Sequence, residues 1–173
     1  MSVGRLALVN RVTVTSQVSN VTLTGIDDDS VYVVTFNDVF IGGAQDYLYM
    51  RVTKSGTADT TSNYDYAGEV HRAPGNNDRS NTNQTWWLTW LQGTSSTSTT
   101  RQNGVIQLHN FNSATQYSYV TMEAVNWIST QALEGNTFGM THTVASASDG
   151  VWFDFNSGNV QSGVFSLYKV LGS

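Results

Sequence analysis

Apolar and polar residues alternate with a period of two along most of the chain. In VTVTS (12–16), Val12 and Val14 fall on one face and the threonines on the other. VTLTGI (21–26) repeats this with Val21 and Leu23, and DYLYMRV (46–52) sets Leu48, Met50 and Val52 against Tyr47, Tyr49 and Arg51. GVIQLHNF (104–111) turns Ile106 and Leu108 to one side, and YSYVTMEAV (117–125) does so with Val120, Met122 and Ala124. FGMTHTV (138–144) aligns Phe138, Met140, His142 and Val144, and VWFDF (151–155) and GVFSLYKVL (163–171) complete the series. Successive side chains of a strand point to opposite faces, so each segment predicts a strand with one face toward a core. VYVVTF (31–36) is apolar on both faces, which predicts a central strand.

Clusters of Gly, Asn, Asp and Ser separate these runs, among them KSGTAD, APGNND, LEGN and NSGNVQSG. A persuasive 3.6-residue pattern is missing; AVNWISTQALEG (124–135) is the best candidate for one short helical turn. The polar stretch 71–84 reads as a loop, and 94–100 as a Ser/Thr loop. About ten strands spaced by turns predict an all-β, antiparallel sandwich or barrel. Residues 11–173 form that single domain, and residues 1–10 form an arm whose Leu6 and Leu8 are apolar enough to dock on a neighbour.

The densest aromatic stretch is NTNQTWWLTW (81–90). On a strand, Trp86, Leu88 and Trp90 share one face, and Thr85, Trp87, Thr89 and Leu91 share the other. The first set predicts core, so truncating Trp86 or Trp90 is expected to cost more than truncating Trp87. Trp87, between two threonines on the more polar face, is expected to be covered by another part of the chain or by a neighbouring subunit, or to serve as a ligand platform, with Tyr64 and Tyr66 near it in sequence.

Composition narrows the functions. Charged residues are only 12% of the 173, about half the usual share. Net charge is −5 and no Lys/Arg cluster occurs, so a nucleic-acid partner is not expected. There is no cysteine, which removes disulfides and thiolate metal sites. No apolar run approaches a membrane helix, and LALV is too short for a signal peptide. Asp27, Asp28 and Asp29 read as a solvated turn without EF-hand spacing. His71, His109 and His142 are too far apart in sequence for a zinc motif, and His142 reads as a hydrogen-bonded core residue. Asn20-Val-Thr and Asn83-Gln-Thr match glycosylation acceptors, as chance allows in an Asn/Thr-rich chain. No nucleophile elbow, P-loop or GxGxxG occurs, so no enzyme and no cofactor are expected.

Several longer segments carry a resemblance: VSNVTLTGID followed by VYVVTFNDV, then LYMRVTKSGTADTTSNYDYAG, GVIQLHNFNSATQYSYVTMEA and the ending FDFNSGNVQSGVFSLYKVLG. Together they cover most of the chain. They resemble small β-sandwich virion proteins of tailed bacteriophages, especially those of marine cyanobacteria and related hosts. The family usually places Gly after the Tyr of the last motif, where Lys169 stands here. The resemblance implies a jelly-roll-like domain and a non-enzymatic virion component, made in the host cytoplasm and placed on the particle exterior. A capsid decoration or cement protein, or another head or tail component, fits this best. Its partners would be other virion proteins and copies of itself, with a trimer favoured because closed oligomers match particle symmetry. The alternative is a receptor-binding or carbohydrate-binding module of a tail fibre that holds a host glycan.

Overall fold

The computed structural model describes residues 5–42, 47–72, 75–92, 101–128, 133–155 and 158–172, with the backbone alone for 90–92. The alternating segments are strands, and none of the described residues is helical. The strands are β1 (Arg5–Val14), β2 (Asn20–Thr24), β3 (Tyr32–Gly42), β4 (Tyr47–Lys54), β5 (Thr57–Ala58), β6 (Tyr64–Arg72) and β7 (Asn77–Gln84). They continue with β8 (Trp87–Gln92), β9 (Gln102–His109), β10 (Ser118–Trp127), β11 (Leu133–His142), β12 (Gly150–Phe155) and β13 (Asn159–Leu171). Thirteen strands thus replace the expected ten or so.

They form an antiparallel β-sandwich. An eight-stranded sheet runs β1-β13-β3-β9-β10-β11-β6-β7, and a five-stranded sheet runs β2-β12-β4-β5 with β8 also on β4. Four pairs bring early strands onto late ones: β1 with β13, β2 with β12, β3 with β9 and β4 with β8. β2 packs against β1 and β13, while β8 packs against β6, β10 and β11. Between the sheets lie the residues whose alternation predicted them, including Leu23, Val34, Met50, Ile106, Leu108, Val120, Phe153 and Phe165, all buried. The β4–β5 turn is Ser55-Gly56, with φ of 52° and 72°. Positive φ at both positions is what a tight two-residue hairpin requires.

Four expectations need correction. Most of the expected arm is strand: Arg5–Leu8 and Asn10 pair with β13 as part of β1, and residues 1–4 lie outside the described residues. The segment expected to hold a helical turn is the hairpin of β10 and β11, whose strands pair from Ser118–His142 to Trp127–Leu133; residues 129–132 lie outside the described residues. The 71–84 loop is mostly strand, because β7 pairs with β6 at the sheet edge. Nearly all of its side chains are exposed, so no apolar alternation marked it.

The fourth concerns the tryptophans, whose faces are reversed. Trp87 and Tyr64 are fully buried and Tyr66 is buried, so none of the three is a surface contact in this chain. The reason is local. Trp86 and Leu88 point outward together and Trp87 and Thr89 inward, so the alternation holds and only the choice of inner face is reversed. Thr89, expected to mark a polar face, is buried, and its hydroxyl donates to the Leu48 carbonyl at 2.7 Å. A threonine satisfied in this way no longer signals solvent. Trp86 instead lies outside the small sheet, 4.9 Å from the Tyr49 ring and 5.4 Å from the Arg51 guanidinium. The side chains of Trp90 and Leu91 lie outside the described residues.

Trp87→Ala is therefore expected to cost about 3–5 kcal/mol in denaturant unfolding, as buried aromatic truncations do. Trp86→Ala should cost clearly less. Equal losses would contradict the observed faces.

Candidate interaction surface

The sequence grouped Trp87, Tyr64 and Tyr66, and the structure does bring two of them together, but inside. The Tyr64 ring lies 5.0 Å from Trp87 and 4.8 Å from His142. Trp87 Nε1–H donates to the Thr141 carbonyl at 3.0 Å, and the Tyr64 hydroxyl donates to the Asp59 carbonyl at 2.6 Å. Tyr66 packs on Phe138, with ring centres 6.3 Å apart. Burial lifts the Tyr64 pKa well above that of an ordinary phenol. Both polar tips are satisfied, so the cluster is a plug between the sheets.

His142 is core, as expected, but it is not hydrogen-bonded. Its Nε2 stands 3.7 Å from Asp59 Oδ2, and neither ring nitrogen has a hydrogen-bond partner among the described residues. Burial lowers its pKa below the ordinary 6.5, against the opposing pull of the Asp59 carboxylate. For Asp59, burial acts to raise the pKa, but hydrogen bonds from Lys54 and Thr61 outweigh it and hold the carboxyl at about 2.

Alternation also puts polar groups inside. Counting back from Met140 and Phe138 on β11 places Asn136 and Glu134 on the core face, and both are buried. Arg72 Nη2 donates to Glu134 Oε1 at 2.7 Å, and Asn126 Nδ2 reaches Glu134 Oε2 at 3.4 Å. The sequence reading missed this group, although the phase of β11 announces it. Its carboxylate is matched to a guanidinium, which is the arrangement that makes a buried charge tolerable.

The Asp27–Asp29 turn is tied down. Lys169 donates to Asp27 Oδ1 at 3.1 Å and also to Asp28, while the Tyr32 hydroxyl donates to Asp27 Oδ1 at 2.7 Å. These bonds, the Tyr32 one first for Asp27 and the Lys169 one first for Asp28, hold both carboxyls below the usual range. Lys169, the departure from the resembled family, is thus a clamp on this turn. Among the described residues no cluster of His, Asp and Glu has metal-binding geometry.

What remains open is the outer face of the large sheet. One row of side chains crosses Leu8, Tyr168, Val33 and Gln107 on β1, β13, β3 and β9. It continues through Thr121, Gly139, Ala67 and Ser80 on β10, β11, β6 and β7. The next row runs Arg11, Ser166, Thr35 and Val105, then Glu123, Thr137, Glu69 and Asp78. The β10–β11–β6 half is hollowed, because Gly139 and Ala67 carry little above the backbone; the depression measures about 760 Å³. Three carboxylates meet there on an open, solvated surface. General acid chemistry calls for a carboxyl raised by an enclosed, apolar setting, which an open sheet face does not supply.

Apolar groups stand out on the same face. Leu6 and Leu8 are 56% and 53% exposed on β1, and Trp127 and Leu133 are 45% and 58% exposed across the β10–β11 hairpin. Tyr117 and Tyr119 are exposed at the opposite end of β10, beside a hollow of about 460 Å³ that Asn110, Thr115 and Gln116 also line.

The buried imidazole has a consequence for pH. Its pKa is lowered in the fold, so the unfolded chain takes up the proton first as pH falls. The stability of neutral His142 is fully present above about 6.5 and is lost below it, toward the folded pKa. Melting temperature is expected to drop between about pH 7 and pH 5, and His142→Phe should flatten the curve there. Equally steep curves for both proteins would place the proton uptake elsewhere.

Comparison with family models, with curated proteins and with solved structures finds no match to this chain.

Proposed function

We propose that the protein is a non-enzymatic structural component of a bacteriophage virion, on the exterior of the head or tail, and that it assembles by protein–protein contact. One observation carries the reading. A broad sheet face lies open around a hollow lined by three carboxylates, with two exposed leucines at one edge and an exposed Trp–Leu pair toward the other. Interfaces concentrate aromatic residues, and exposed apolar patches mark contact sites.

Two further points support it. The four pairs that join β1, β2, β3 and β4 to β13, β12, β9 and β8 follow the strand order of a jelly roll, with β5–β7 and β10–β11 as additions. Jelly rolls serve in viral shells but also in lectins and cupins, so this support is by analogy of fold. The segments that resemble phage virion proteins are the framework of the domain: SNYDYA supplies Tyr64 and Tyr66 to the core, and the terminal motif is β13, between β1 and β3.

A glycan-binding role is the second reading. The expected platform of Trp87, Tyr64 and Tyr66 is buried, so the role would move to Tyr117 and Tyr119. Exposed phenol rings beside the amides of Asn110 and Gln116 offer both stacking and hydrogen bonds to a sugar.

Antibody raised against the purified chain should label the outside of intact particles in electron microscopy. Absence of label, together with absence of the chain from purified virions by mass spectrometry, would sink the structural reading. Binding on a glycan array that Tyr119→Ala abolishes would establish the second.

A further inference from the structure

We infer that the outer face of the large sheet pairs with the same face of a second copy, about a two-fold axis parallel to the strands. The inference rests on reading that face as an assembly surface, and it names the partner. The axis lies between β9 and β10. It turns β1 onto β7, β13 onto β6, β3 onto β11 and β9 onto β10 of the other copy.

Shape supports this pairing. The larger side chains of the first row lie on one half of the face and the smallest on the other. The rotation sets Tyr168 opposite Ala67 and Val33 opposite Gly139, so the full half of each copy meets the hollow half of its mate. The depression of about 760 Å³ is thereby filled by protein. A single patch that complements itself is the requirement of a closed two-fold contact.

Charge agrees. The second row begins with Arg11, carries Glu123 on β10 beside the axis, opposite Val105 of the mate, and ends with Glu69 and Asp78. The same rotation places Arg11 of each copy at Asp78 of the other. Within its own chain Arg11 donates through Nε and Nη2 to Ser166 and Tyr168, which leaves other guanidinium N–H groups for a carboxylate. Glu69 and Asp78 sit directly opposite each other on β6 and β7, a like-charge juxtaposition that a cation would relieve. The Arg11, Glu69 and Asp78 charges lie at the rim, where they set register and steer encounter.

Area is sufficient. Eight strands about 4.8 Å apart make a face about 38 Å wide, and four rows about 7 Å apart make it about 27 Å long. Twist prevents full coverage, but half of this face from each copy already buries about 1,000 Å², the threshold for a specific interface.

The test is the mass of the full chain in solution, by light scattering or sedimentation over a range of concentrations. The wild type should form dimers. In Gly139→Trp the added Cβ meets nothing closer than the Ala67 carbonyl at 4.0 Å, so the fold should tolerate it and the protein should be monomeric. Arg11→Glu and Asp78→Arg should each weaken self-association at least tenfold. Their equimolar mixture should restore it, because both contacts of the mixed pair are then of opposite sign. Circular dichroism and unfolding curves like those of the wild type would show each variant folded. A monomeric wild type, a Gly139→Trp that still dimerises, a mixture that stays apart, or a trimer in place of the dimer would each overturn the two-fold pair. A monomer that labels virions would overturn the pair and leave the virion role standing; a dimer absent from virions would do the reverse.

Discussion

A sheet must hide one apolar face, and here eight strands face only five. That mismatch of widths governs the rest of the structure. The small sheet reaches from β2, over β1 and β13, to β8, over β6, β10 and β11. β8 is its outer strand on that side, and Trp87 is the residue large enough to fill the space between β8 and the strands beneath it. Tyr64, Phe111 and His142 close around its ring. A smaller residue would leave a void that neither sheet could collapse to fill, which is the costly kind of cavity.

The same mismatch sorts the charged groups. Toward the ends of β6, β10 and β11 the inner face carries Arg72, Asn126 and Glu134 in place of aliphatic side chains. Among the described residues the outer face has no second layer, and it carries small, polar and singly placed apolar groups. Its composition lies between that of a core and that of a freely hydrated surface. This intermediate character gives the proposed virion reading its physical basis.

The sequence made the regular part of this fold legible. Leu48, Met50 and Val52 are buried while Tyr47, Tyr49 and Arg51 are only partly so, as strict alternation requires. β3 is central, as its two apolar faces foretold. Elsewhere other forces won. β7 is invisible because an edge strand with both sides in water needs no pattern. The Trp86–Trp87 pair misled because a threonine hydroxyl bonded to a carbonyl is as good in a core as on a surface, so the face that carries Thr89 looked polar. Leu6 and Leu8 looked like an arm because their side chains face outward; pairing with β13 is a backbone property that side-chain type does not reveal. Glu134 shows the opposite error: its phase was readable, but its charge discouraged placing it inside.

The position of β13 has a bearing on how the chain is made. β13 lies between β1 and β3, both far upstream of it, so neither has its full set of neighbours until β13 has been synthesised. Until then a growing chain carries β1 and β3 with open edges. Pairings that span nearly the whole sequence also form slowly, because the long loop must close before the contacts reward it. Unpaired edges are where strands of different chains join wrongly. The low charge of this protein gives little repulsion against that outcome, and its safe production depends on how quickly β13 slides into place once it is free.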